Sequence, residues 1–95
     1  MQEYNTSAIR AAARNLDGIA DQLQTLRSSN ITRISRSSRP LKGDTATALQ
    51  DQLDSLGSDI LTLKKGVDSC AAALYEFARK LDLADEKAKA LIKST

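Results

Sequence analysis

The sequence predicts an all-α fold. A short helix over about residues 6–32 and a long helix over about residues 44–93 form a hairpin, joined by a Leu-x-Gly turn, and the hairpin associates into a four-helix bundle. Three observations carry this expectation. Fourteen positions of the second half, at strict heptad spacing, are all apolar. A looser three-and-four spacing of apolar residues runs through the first half. Between the two lie the chain's one proline, Pro40, and Gly43.

In the first helix Ile9, Ala12, Leu16, Ile19, Leu23 and Leu26 make the apolar series, and Ile31 and Ile34 extend it. Asn5, Thr6 or Ser7 offers a side-chain oxygen to the first free amides. Ala8 and Ala11 to Ala13 are strong helix formers. The stretch RSSNITRISRSSRP weakens the helix, because short hydroxyl and amide side chains compete for backbone hydrogen bonds. Pro40 also keeps Arg39 out of the helical region. The first helix is therefore expected to end between Ser28 and Ser35. The turn then runs through SSRPLKGD, and Asp44 or Thr45 caps the second helix.

In the second helix one apolar series is Ala46, Leu53, Ile60, Val67, Leu74, Leu81 and Ala88. The other, three residues later, is Leu49, Leu56, Leu63, Cys70, Phe77, Ala84 and Leu91. Together they are the a and d positions of a heptad repeat. Gly57 and Gly66 each cost about 1 kcal/mol inside a helix, yet the register passes both without a slip. One unbroken helix is the expectation. Cys70 falls on the apolar series and is expected as a buried, inert thiol, since the chain has no histidine to activate it.

The chain has 95 residues, enough for one domain. With 41% hydrophobic and 27% charged residues it has the composition of a folded protein. Aromatic residues are 3%, so Leu, Ile, Val and Ala must build the core. The absence of histidine excludes His-based general bases and triads. A single cysteine excludes an internal disulfide and multi-Cys metal sites. Asp51, Asp54 and Asp59 have no cleft to work in and read as a wet helix face. The sequence therefore predicts no catalytic residue, no metal site, no cofactor and no enzyme activity. No stretch approaches the roughly 20 apolar residues of a membrane span, so no stable membrane insertion is expected. The polar N-terminal stretch carries no apolar core of a secretory signal peptide.

Charge divides the chain. Residues 1–43 carry seven basic and three acidic side chains, and residues 44–95 carry seven basic and nine acidic, for a net +2. Arg27, Arg33, Arg36, Arg39 and Lys42 form a run without an acid. No aromatic residue interleaves it for base stacking, so it reads as a solvated helix end and no nucleic-acid partner is expected.

Function follows from the unequal arms. About 28 residues span roughly 42 Å and about 50 span roughly 75 Å. A short arm that cannot cover the long one leaves Leu74, Phe77, Leu81 and Leu91 exposed. The expected partner-binding seam is Leu49, Leu53, Leu56, Ile60, Leu63, Val67, Leu74, Phe77, Leu81 and Leu91, with Ile9 to Leu26 opposite. Burial of that apolar surface by another helical protein, in a dimer or hetero-oligomer, is the expected activity. A polymerising structural component of a secretion needle, also a short helical hairpin with a proline in its turn, is the alternative.

The turn reads Pro40-Leu41-Lys42-Gly43-Asp44-Thr45-Ala46-Thr47-Ala48-Leu49. Here the chain resembles the WXG-motif, ESAT-like family of small type VII secretion proteins. These are helical hairpins of about a hundred residues with Trp-x-Gly at the turn and an apolar heptad helix after it. Leu41 takes the Trp slot, Gly43 the Gly slot, and Ala46 and Leu49 the next apolar positions. The resemblance spans the whole chain in layout. The missing tryptophan makes it most similar to the small helical partners of LXG-domain toxins. It implies a bacterial cytoplasmic protein that binds a toxin's helical N-terminal domain, a paralogous hairpin or itself. Stabilising, targeting or exporting that partner without a cleaved signal peptide is the implied role. The family's export signal is an aromatic residue followed four positions later by an acid. Tyr75 is followed by Arg79 and Phe77 by Leu81, so the nearest form is Leu81 with Asp85.

Overall fold

The computed structural model describes residues 5–93. Residues 1–4, part of the stretch read for a signal peptide, lie outside them. Four helical segments follow one another: α1 (Thr6–Thr25), a π-helical turn (Leu26–Asn30), α2 (Ile31–Ser37) and α3 (Asp44–Lys93). The first three run on as one arm. The second arm is α3 alone, 50 residues without a break, so neither Gly57 nor Gly66 interrupts it. Among the described residues there is no strand. The two arms lie antiparallel in a rod of 79 × 15 × 15 Å. A single copy is thus a two-helix hairpin, half of the four-helix bundle that the heptads predict.

Asn5 starts α1: its Oδ1 accepts the Ala8 backbone N–H at 3.0 Å. The first arm does not stop between Ser28 and Ser35 as its composition predicts. Its hydroxyls bond within the helix instead of breaking it. Ser28 donates to the Gln24 carbonyl at 2.8 Å, Thr32 to Ser28 at 2.9 Å and Ser37 to Arg33 at 3.0 Å. The π turn explains why the arm continues. Thr6, Ile9, Ala13, Leu16, Ala20, Leu23 and Arg27 are buried or half-buried at three-and-four spacing. Continued as plain α-helix, that phase would turn Asn30 inward next. The π turn inserts one extra residue, and Ile31, Ser35 and Ser38 come inward in its place. Ile31 then packs beside Gly57, its Cδ1 4.0 Å from where a Cβ there would stand.

The alignment of the two arms overturns the predicted overhang. Arg10 reaches Asp82 across the hairpin, so only about the last two turns of α3 project beyond α1. Leu74 and Leu81, expected to be bare, are half-buried against α1. Phe77 and Leu91 remain exposed. The turn closes with the Leu41 N–H donating to the Ser38 carbonyl at 2.9 Å. Gly43, at φ 74°, has the only positive φ among the described residues. Its carbonyl accepts the Thr47 N–H at 3.2 Å, so Gly43 rather than Asp44 or Thr45 holds the cap position of α3. Asp44 stands in the first turn, where a negative charge suits the helix dipole.

The core is narrow and rich in alanine. Ala13, Ala20, Leu53, Ile60, Ala71 and Ala78 are its buried residues. The cross-arm contacts Arg10–Asp82 and Asp17–Tyr75 fix the levels of the arms. By those levels Ala13 stands opposite Ala78, and Ala20 opposite Ala71. Methyl-sized side chains at both levels let the helix axes approach closely, and that decides what else fits between them.

Candidate partner-binding face

A helix with apolar residues at both a and d positions has a stripe wide enough for more than one contact. The alanine seam uses part of it. On α3 the inward positions are Leu53, Gly57, Ile60, Lys64, Val67, Ala71, Leu74, Ala78, Leu81 and Asp85, all buried or half-buried. The second apolar series turns away. Leu56, Leu63 and Phe77 are 47%, 56% and 52% exposed. Cys70 is exposed too, not buried as its series predicts, because Ala71 beside it takes the seam. On α1 the same division occurs: Ala13 and Ala20 face in, while Ala12, Ile19 and Leu26 face out.

Both exposed stripes lie on one side of the hairpin. Successive residues turn by about 100° around a helix. Arg10 and Asp17 each follow an inward residue, Ile9 and Leu16, by one place. Tyr75 and Asp82 likewise follow Leu74 and Leu81. Their contacts close one edge of the hairpin. Ala12 and Ile19 precede inward residues by one place, as do Leu56, Leu63, Cys70 and Phe77. They therefore turn to the opposite edge, together. By the contact levels Ile19 falls between Cys70 and Phe77. The result is one continuous apolar face built from both arms.

The polar edge holds the arms in register. The Tyr75 hydroxyl donates to Asp17 Oδ2 at 3.1 Å. Desolvation against α1, and then the Asp17 carboxylate, raise the Tyr75 pKa above its ordinary value. Asp82 is lowered, first by the Arg10 hydrogen bond and then by the Thr6 hydroxyl. On the outer side of α3, the Arg79 fork lowers the Glu76 pKa.

The predicted seam residues thus separate. Leu53 and Ile60 are buried within the hairpin, and Leu49, Val67, Leu74 and Leu81 are half-buried in it. Leu56, Leu63, Phe77 and Leu91 are exposed. The heptads did not single out Ile19 and Leu26 as surface residues; they look like core until the alanines are seen to be closer to the axis. Leu41 is exposed beside Gly43, and Leu81 and Asp85 are both half-buried on the α1-facing side of α3. Arg33, Arg36, Arg39 and Lys42 project from the turn end, and none of the ion pairs among the described residues engages them. Among the described residues no three potential metal ligands cluster, and no helix is long and apolar enough to cross a membrane. No protein-family model matches the chain, and no curated protein or solved structure matches it.

Proposed function

We propose that the chain is a non-enzymatic, type VII secretion-associated hairpin. It binds a partner hairpin or the helical N-terminal domain of an LXG-type toxin, and so promotes the partner's stability, targeting or export. The observation that carries this reading is the apolar face shared by both arms, with Leu56, Leu63, Phe77, Ile19 and Leu26 bare to water. Such a face is energetically costly on a lone rod and is relieved by another helix pair. The left-handed Gly43 in the turn supports the likeness to the WXG-like hairpins, since that backbone favours glycine there.

Co-expression with the helical domain of a toxin encoded beside this chain tests it. The expected result is a stoichiometric complex that survives gel filtration and disappears when Leu63 and Phe77 are changed to Asp. A toxin domain that is equally soluble, stable and exported without this chain, and that never co-elutes with it, removes the reading.

A further inference from the structure

We propose that the polar side of the first arm, beside the turn, binds a phosphoryl-bearing anion. The Arg33 and Arg36 guanidinium groups and the Ser29 hydroxyl hold it. The three stand on one stripe of the arm, Arg33 four residues and Arg36 seven residues after Ser29. With Ser28 and Thr32 they line a shallow hollow of about 310 Å³ where the π turn passes into α2.

A basic run at the end of a helix is ordinarily explained by the free carbonyls and the negative dipole there. Here those carbonyls are already engaged. The Ser38 N–H donates to the Ile34 and Ser35 carbonyls at 3.1 and 3.3 Å, and the Arg39 N–H donates to Arg36 at 3.2 Å. The Ser37 hydroxyl donates to Arg33 at 3.0 Å and the Ser38 hydroxyl to Ser35 at 2.8 Å. No acid neutralises the arginines either, since none of the ion pairs among the described residues engages them. Asp54, on the facing stretch of α3, accepts instead from the Gln50 amide at 2.9 Å, and the Gln50 carbonyl accepts from the Ser35 hydroxyl at 2.8 Å. Two exposed guanidinium forks therefore stand beside one another without an acceptor among the described residues.

The hydroxyls of the hollow differ in what they can offer. Ser28 and Thr32 donate their protons to the Gln24 and Ser28 carbonyls. No hydrogen bond among the described residues engages Ser29, so its proton is available to an anion. Two forks and one hydroxyl suit a phosphoryl group, whose tetrahedral oxygens accept from several directions, better than a carboxylate, whose two oxygens share a plane. Arg39 and Lys42 carry positive charge on toward the turn, which suits a ligand with more than one phosphoryl group. No aromatic residue adjoins the run for base stacking, so nucleic acid is not favoured. The site is also separate from the apolar face. Thr32 and Arg36 follow the inward residues Ile31 and Ser35 by one place, and so turn to the edge that Arg10 and Asp17 occupy. A partner on Ile19 and Leu26 leaves it open.

Calorimetric titration of the full chain with tripolyphosphate tests this. The expected result is a one-to-one complex with a Kd of about 0.1 mM at low salt. Arg33→Gln with Arg36→Gln should weaken it more than about tenfold, with helix content unchanged. Arg33→Lys with Arg36→Lys keeps the charge and loses the forks, and should weaken it about fivefold. Ser29→Ala should weaken it about threefold. Lys89→Gln, on the far part of α3, should change it less than about twofold. Sedimentation with phosphatidylglycerol vesicles, against phosphatidylcholine vesicles, identifies the source of the phosphoryl group. Arginine-dependent sedimentation with the anionic vesicles alone assigns a lipid headgroup, and tripolyphosphate binding without sedimentation assigns a soluble phosphate chain. No binding of either probe below about 10 mM overturns the proposal. So does binding that the glutamine pair leaves unchanged, or a lysine pair that binds as tightly as the parent. Polyglutamate or a short DNA duplex binding as tightly as tripolyphosphate would reduce the site to charge alone and overturn it equally.

Discussion

Gly43 shows how much one backbone angle can carry. Its φ of 74° lets the chain leave the turn and present its carbonyl to Thr47 in the same step. An L side chain in that region costs about 1–2 kcal/mol. Gly43→Ala should therefore lower unfolding stability by about that amount with no loss of helix content at low temperature, read by thermal circular dichroism. An unchanged melting temperature would mean that the turn rearranges freely. Nothing within 4 Å would meet the added Cβ, so the cost is conformational rather than steric. Leu41, two residues earlier, is 44% exposed and borders a shallow hollow with Ser38 and Ala46 at the turn.

Among the elements, the first arm departs most from its sequence. Its Ser, Thr and Asn residues favour an early end, and a plain α phase would bring Asn30 against α3. Packing of Ile31 beside Gly57 outweighs that tendency, and the π turn absorbs the mismatch as one extra residue. Deleting Asn30 should remove the bulge and leave Ile31 inward in ordinary α phase. The melting temperature should then stay within about 5 °C of the parent. Deleting Lys65 from α3, where no extra residue exists, throws Ala71 and Ala78 out of phase with Leu53 and Ile60. It should cost more than about 10 °C. Equal losses from the two deletions would show that the bulge is not a register device. The helical content of both arms was legible from apolar spacing alone. The bulge was not, because it answers to a residue on the other arm.

For the whole molecule, shape is the deciding property. The radius of gyration is 22.0 Å, against about 12 Å for a compact chain of this length. A rod so thin buries only small side chains completely, and the two arms are tied at their open end by Arg10–Asp82. The Asp82 pKa is lowered in the folded hairpin, chiefly by that hydrogen bond. A depressed folded pKa means that the contribution is complete above the unfolded value, near 3.9. It is lost as the pH falls through the lower folded value. The melting temperature should thus drop on acidification below about pH 4, and Asp82→Asn should flatten part of that drop. An identical acid profile in the variant would show that the pair contributes nothing to holding the arms.

By itself the sequence determined the two helical arms, the place of the turn at Pro40 to Gly43 and the continuity of α3 through both its glycines. These follow from local periodicity and backbone preference, which each segment carries alone. Tertiary structure decided which of the apolar stripes closes the hairpin. The heptads mark Leu56, Leu63 and Phe77 as strongly as Leu53 and Ile60, and hydrophobicity cannot separate them. The separation comes from packing between the arms. The alanines Ala13, Ala20, Ala71 and Ala78 take fully buried places between the arms, and Leu56, Leu63 and Phe77, one place before an inward residue, turn together to the outer face.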